Sequence, residues 1–158
     1  MRYVVDTNIW IRLLRKENHV GAAMRRALTD GHQIIVPSVV YFELLRGLQK
    51  RGDSANMDFF RNMLTAEGCV YKECSRPIWD LAINYWVAAN TQNKSCKDAD
   101  ILIAAFARHH DATVITEDLG HFSHLGVRIE NWSKAPGGPG NQSSGPGEIP
   151  GEPTGAGL

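Results

Sequence analysis

Four acidic residues of this chain stand where elements of different kinds would meet. Asp6 follows the apolar run Tyr3-Val4-Val5, and Asp118 follows Val114-Ile115-Thr116-Glu117. Glu43 lies on the stripe Val39, Val40, Glu43, Gly47, and Asp100 precedes Ile101-Leu102-Ile103-Ala104-Ala105-Phe106, so both are expected on inward-turned helix faces. A buried carboxylate without a partner is costly, and such groups are normally neutralised, paired or metal-bound. Two carboxylates about 5 Å apart at an effective dielectric near 20 repel by roughly 3 kcal/mol, and a cation reverses that sign. Magnesium, or manganese in its place, suits an all-oxygen donor set. Such an ion lowers the pKa of a bound water and stabilises a phosphodiester under in-line attack, without a Ser, Cys or His nucleophile.

The elements that must position these acids alternate in type. Strands are predicted at Tyr3 to Val5, Gln33 to Val36, Val70 to Lys72, Thr113 to Thr116 and Val127 to Glu130. Helices are predicted over Asn8 to Arg15, Gly21 to Thr29, Ser38 to Lys50, Met57 to Ala66, Ser75 to Asn90 and Asp98 to His109, with Ser38, Ser75 and Asp98 as N-caps. Short, almost wholly apolar strands alternating with helices indicate an α/β/α sandwich around a parallel sheet. Ligands of such sheets bind at the carboxyl ends of the strands, where Asp6 and Asp118 would emerge.

Residues 1–134 carry this pattern and are expected to form one domain with its own core. From Ala135 to Leu158, 13 of 24 residues are Gly or Pro and only Glu148 and Glu152 are charged, so this stretch is expected to be a disordered tail. The body holds 17 basic and 15 acidic residues, a balance that neither requires nor excludes nucleic acid. Cys69, Cys74 and Cys96 form no C-x-x-C pair, and their odd number argues against a disulfide framework. With no apolar run of membrane-spanning length, a cytoplasmic protein is the expectation.

Val4-Val5-Asp6-Thr7-Asn8, Val39-Val40-Tyr41-Phe42-Glu43-Leu44, Asp100-Ile101-Leu102-Ile103-Ala104-Ala105 and Val114-Ile115-Thr116-Glu117-Asp118 closely resemble, in order, the four motifs of PIN-domain nucleases. The run from Phe122 through Gly126-Val127-Arg128-Ile129-Glu130-Asn131-Trp132 is similar to that of VapC toxins, the ribonuclease halves of type II toxin–antitoxin pairs. The resemblance implies a magnesium-dependent endoribonuclease with Asp6, Glu43, Asp100 and Asp118 as catalytic metal ligands. It further implies a homodimer and a cognate antitoxin. Thr7 and Thr116 match small polar positions that trim the site, and Asn8 the residue opening the first helix. With Arg46, these three are the substrate-contact candidates. Relatives often carry an acid where this chain has His121.

Other readings compete. A housekeeping RNA-processing nuclease would use the same chemistry, and a neighbouring frame encoding a short antitoxin would separate it from a toxin. A non-catalytic PIN-like RNA- or protein-binding module would retain the acids as structure. An aspartyl-nucleophile phosphatase usually wants a second Asp two residues after the first, where Asn8 stands. Among single residues, Asp6 could be an N-cap, Glu43 could pair with Arg46, and Asp118 could be a turn residue. Asp98 and Asp100 point roughly 200° apart on a helix, and the family pattern selects Asp100. Trp79, Ala82, Ile83, Trp86 and Asn90 read as a core stripe. Arg12, Arg15, Lys16, Arg46, Lys50, Arg51, Lys94 and Lys97 flank the acidic motifs and could form a phosphate-gripping rim. An acid-only magnesium site has no use for His121 and His124.

Overall fold

The computed structural model describes residues 1–94 and 96–134; the predicted tail lies outside the described residues. Five strands, β1 (Arg2–Val5), β2 (Gln33–Pro37), β3 (Cys69–Lys72), β4 (Thr113–Ile115) and β5 (Ile129–Glu130), pair in the order β3-β2-β1-β4-β5, every pairing parallel. Tyr3, Val4 and Val5 of β1 are all buried, as are Ile34, Ile35 and Val36 of β2. Successive strand residues face opposite ways, so burial of consecutive ones requires cover on both faces. Helices supply it. They are α1 (Thr7–Leu14), α2 (Asn18–Thr29), α3 (Ser38–Lys50), α4 (Ser54–Met63), α5 (Arg76–Thr91), α6 (Asp98–His109) and α7 (Leu119–Phe122). The α/β sandwich expected from the sequence is thus observed.

The chain leaves β1 in one direction to build β2 and β3 and returns to β1's other side with β4 and β5. The strand order therefore reverses between β1 and β4, the place where open parallel sheets hold ligands. The Asp6 amide donates to the Ile115 carbonyl at 2.9 Å, which fixes the first acid beside the end of β4.

Three expectations are corrected. The α6 N-cap is Lys97, so Asp98 is the first helical residue and not the cap. Trp79, Ile83 and Trp86 are about half exposed, while the stripe one residue earlier, Ile78, Ala82, Tyr85 and Ala89, is buried. Ser38 likewise falls just inside its helix, whose N-cap is Pro37.

Gly68 closes the turn into β3 at φ +84°, and an added Cβ there would meet Leu28 Cδ2 at 3.0 Å and the His32 carbonyl oxygen at 3.2 Å. Gly31, at φ +75°, has nothing within 4 Å of that point. Both Ala substitutions force an L-residue into left-handed backbone, costing about 1 kcal/mol. Gly68→Ala adds a backbone clash, so its urea midpoint should drop clearly further than that of Gly31→Ala. Equal losses would show that the turn relaxes freely.

Candidate metal centre

Each acid is delivered by the end of an element. Asp6 is the residue between β1 and α1 and is buried, yet its carboxylate makes no side-chain capping bond to α1. Instead its Oδ2 accepts from the Thr116 hydroxyl at 2.7 Å and from Asn8 Nδ2 at 2.8 Å. Thr116, fully buried after β4, also accepts from Asn8 Nδ2 at 3.2 Å and from the Asp118 amide at 3.0 Å. One hydroxyl thereby fastens the first acid to the loop carrying the fourth.

Glu43 projects from the second turn of α3, and its Oε2 accepts from the Thr7 hydroxyl at 2.8 Å. The surface pair with Arg46 does not form: the Arg46 guanidinium lies over the Phe42 ring, 5.0 Å from its centroid. Asp100, buried in the first turn of α6, reaches His121 Nδ1 with Oδ2 at 3.0 Å, and Asp118 Oδ2 meets the same nitrogen at 2.9 Å. His121 therefore stands inside the cluster, contrary to the expectation that an acidic site has no use for it. Asp98 is exposed.

Electrostatics tie the groups together. Burial pushes the Asp6 carboxyl up to about 6, with the negative fields of Asp100 and Glu43 adding to the rise and hydrogen bonding by the Thr116 hydroxyl and the Thr7 backbone amide opposing it. Burial likewise raises Asp100, assisted by Asp118 and opposed by His121. Two buried carboxyls that resist ionisation, Asp6 and Asp100, are what a divalent cation relieves, and the oxygen donors match a hard ion that keeps several waters. Among the described residues, however, no three His, Cys, Asp or Glu side chains close on one point. Glu43 and Asp100 are turned to Thr7 and His121, so an ion would have to draw their oxygens from these partners.

The polar residues set down for substrate contact divide in two. Thr7, Asn8 and Thr116 spend hydrogen bonds on the acids, which makes them positioning groups, whereas Arg46 is exposed. The basic rim is also incomplete. Arg12 is held by Glu17 through NH1 at 2.7 Å and by Glu117 through Nε at 2.6 Å, which leaves it little freedom to grip phosphate. A cavity of about 360 Å³ lined by Tyr3, His19, Arg26 and Trp132 contains none of the four acids.

Comparison with known proteins places this geometry in context. The PIN domain family profile matches residues 3–127. Ribonuclease VapC19 of Mycobacterium tuberculosis is 29% identical over 119 residues, covering 75% of this chain and 90% of the relative. Among solved structures, VapBC2 from Rickettsia felis, bound to a DNA fragment from its promoter, superposes with a TM-score of 0.76 at 20% identity, covering 84% of this chain and 99% of that one. Mycobacterium tuberculosis VapC20, a toxin that cleaves the sarcin-ricin loop, gives 0.63 at 17% identity, with 79% and 95% covered.

Proposed function

This chain belongs to the PIN-domain family, and from that premise we propose that it is a divalent-metal-dependent endoribonuclease of the VapC toxin type, with magnesium as its ion. The observation that carries the reading is the buried Asp6 carboxyl, pushed up to about 6 beside Glu43 and Asp100 at the point where the strand order reverses. Asp6, Glu43, Asp100 and Asp118 hold the ion. When bound, it supplies a water of lowered pKa and a counter-charge to the phosphoryl oxygens.

The chain's own work is to prearrange these ligands. Thr116 and Asn8 both fix the Asp6 carboxylate through Oδ2, and Thr7 holds Glu43 until an ion draws it away. Because the Thr116 hydroxyl also holds the Asp118 amide, the loop after β4 cannot drift without disturbing Asp6. Such preorganisation spares the cost of ordering charged groups at the moment of reaction.

A homodimer and a cognate antitoxin belong to the same reading. The exposed face of α5, with Trp79, Ile83, Trp86 and Val87 each at least half uncovered, is the kind of apolar surface a second copy would cover. The three cysteines are unpaired, as suits a cytoplasmic protein, and among the described residues no helix is long and apolar enough to cross a membrane.

The test is thermal. An ion that binds only the folded chain stabilises it by mass action: at tenfold excess over its dissociation constant, by about 1.4 kcal/mol, or roughly 5 °C for a domain of this size. Melting with millimolar magnesium or manganese should rise by that order in the parent and much less in Asp6→Asn. An unmoved parent, or equal shifts in both, would remove the metal site as drawn.

A further inference from the structure

Helix α3, which carries Glu43, also carries an exposed stripe. Phe42, Arg46 and Lys50 recur every four residues and are all exposed, forming a stripe on the solvent side of the helix, about 6 Å per step. Phe42 is 60% exposed, the most uncovered large apolar side chain among the described residues after Met1. Its ring makes no aromatic contact there, whereas neighbouring Tyr41 packs against Phe60 and Tyr71. Arg46 takes no carboxylate partner among the described residues and lies over the Phe42 ring. Phe42 immediately precedes Glu43 and sits 100° from it around α3.

We propose that the Phe42–Arg46–Lys50 stripe is the substrate-positioning surface of the site, Phe42 stacking a nucleobase of single-stranded RNA while Arg46 and Lys50 hold the backbone on either side of the scissile link. The proposal rests on the nuclease reading and adds to it the residue that seats the strand. An aromatic face accepts any base, and a guanidinium already lying on that ring extends the platform and adds the charge that phosphate requires. A lone exposed phenyl would suit a protein partner as well; the two cations in register with it at the helix's solvent face favour a polyanion. The stripe would fix where the strand lies, not which sequence is cut, since stacking and phosphate contacts read no base edge.

The experiment uses the full chain and a fluorescein-labelled single-stranded RNA oligonucleotide of mixed sequence, with binding measured in EDTA so that cleavage does not intervene. Phe42→Ala and Phe42→Leu should bind roughly 10- to 100-fold more weakly, as loss of one stacked base predicts. Phe42→Trp should bind within about twofold of the parent and show indole quenching beyond that of the parent's own four tryptophans. Lys50→Ala should lower the slope of log affinity against log salt by about one. In magnesium, Phe42→Ala should raise KM far more than it lowers kcat, with melting unchanged because the side chain is exposed. Equal affinities across the series, or full affinity in Phe42→Leu, overturn the proposal while a cutting parent keeps the nuclease reading. Intact RNA binding with weakened self-association would assign Phe42 to a protein interface and also overturn it. A parent that binds RNA but never cuts it would remove the nuclease reading and, with it, the stripe's role in positioning a substrate.

Discussion

Asp6→Asn is expected to lower RNA cleavage by at least about a hundredfold while making the protein more stable in chelator at neutral pH. The first effect follows from removing a charged oxygen from the proposed ligand set at nearly constant size. The second follows from the linkage of protonation to folding. A carboxyl moved from 3.8 to about 6 binds its proton more tightly in the folded chain than in the unfolded one. Its cost to stability is absent below pH 3.8, grows between there and 6, and is complete above, reaching about 3 kcal/mol. The parent should therefore lose stability in EDTA as pH rises from 4 to 7, and the Asn variant should lack that component. At pH 7.5 the variant should melt roughly 10 °C higher, with the gap closing near pH 4. Saturating magnesium should shrink or reverse it, because the ion stabilises only the parent's charged form. Melting curves at pH 4, 5.5 and 7.5, with and without ion, read all of this. A variant less stable than the parent at pH 7.5 in EDTA would mean that Asp6 is a structural anchor whose hydrogen bonds outweigh its burial.

The centre of the sheet was legible because β1, β2 and β4 are short, rich in β-branched residues and buried on both faces, a pattern no surface helix shares. Asp6 and Asp100 stood out because they adjoin runs that are almost wholly buried, and Glu43 because it shares a helix face with Val40 and Leu44. What stayed hidden depends on boundaries and on rivalry between faces. Helix α7 has four residues, too few for any periodicity to register. Had it been recognised, His121 three residues after Asp118 would have fallen on Asp118's own helix face, the one signal pointing it into the cluster. On α5 two stripes one residue apart are both apolar. Hydrophobicity alone selects Trp79, Ile83 and Trp86, but Ala82 and Ala89 are narrow enough for α5 to lie close against α6, and the tryptophans are left outside. At α6 an Asp is the better N-cap by propensity, yet the backbone turns helical one residue earlier, at the cost of a Lys in that place.

That one-residue difference sharpens the last expectation, which separates two acids that composition treats alike. Asp100 is buried, sits beside His121 and feels Asp118, whereas Asp98 is exposed in the same first turn. Asp100→Asn should reduce cleavage by two or more orders of magnitude, since the proposed ligand set loses a charge at the point where charge develops on the phosphate. Folding should survive, because an amide oxygen still accepts from His121 and a carboxyl disfavoured by burial is gone. Asp98→Ala should retain activity. Its stability loss should be only about 0.3 to 1 kcal/mol, the worth of a negative charge in a first helical turn, because Lys97 and not Asp98 holds the capping place. Salt separates this from a cap: the loss should fade in 1 M NaCl, as a charge–dipole effect does and a capping hydrogen bond does not. Initial cleavage rates at saturating magnesium and urea midpoints at low and high salt for both variants decide the matter. An inactive, stable Asp98→Ala beside an active Asp100→Asn would place the working carboxylate on the opposite face of α6 and with it the whole metal centre.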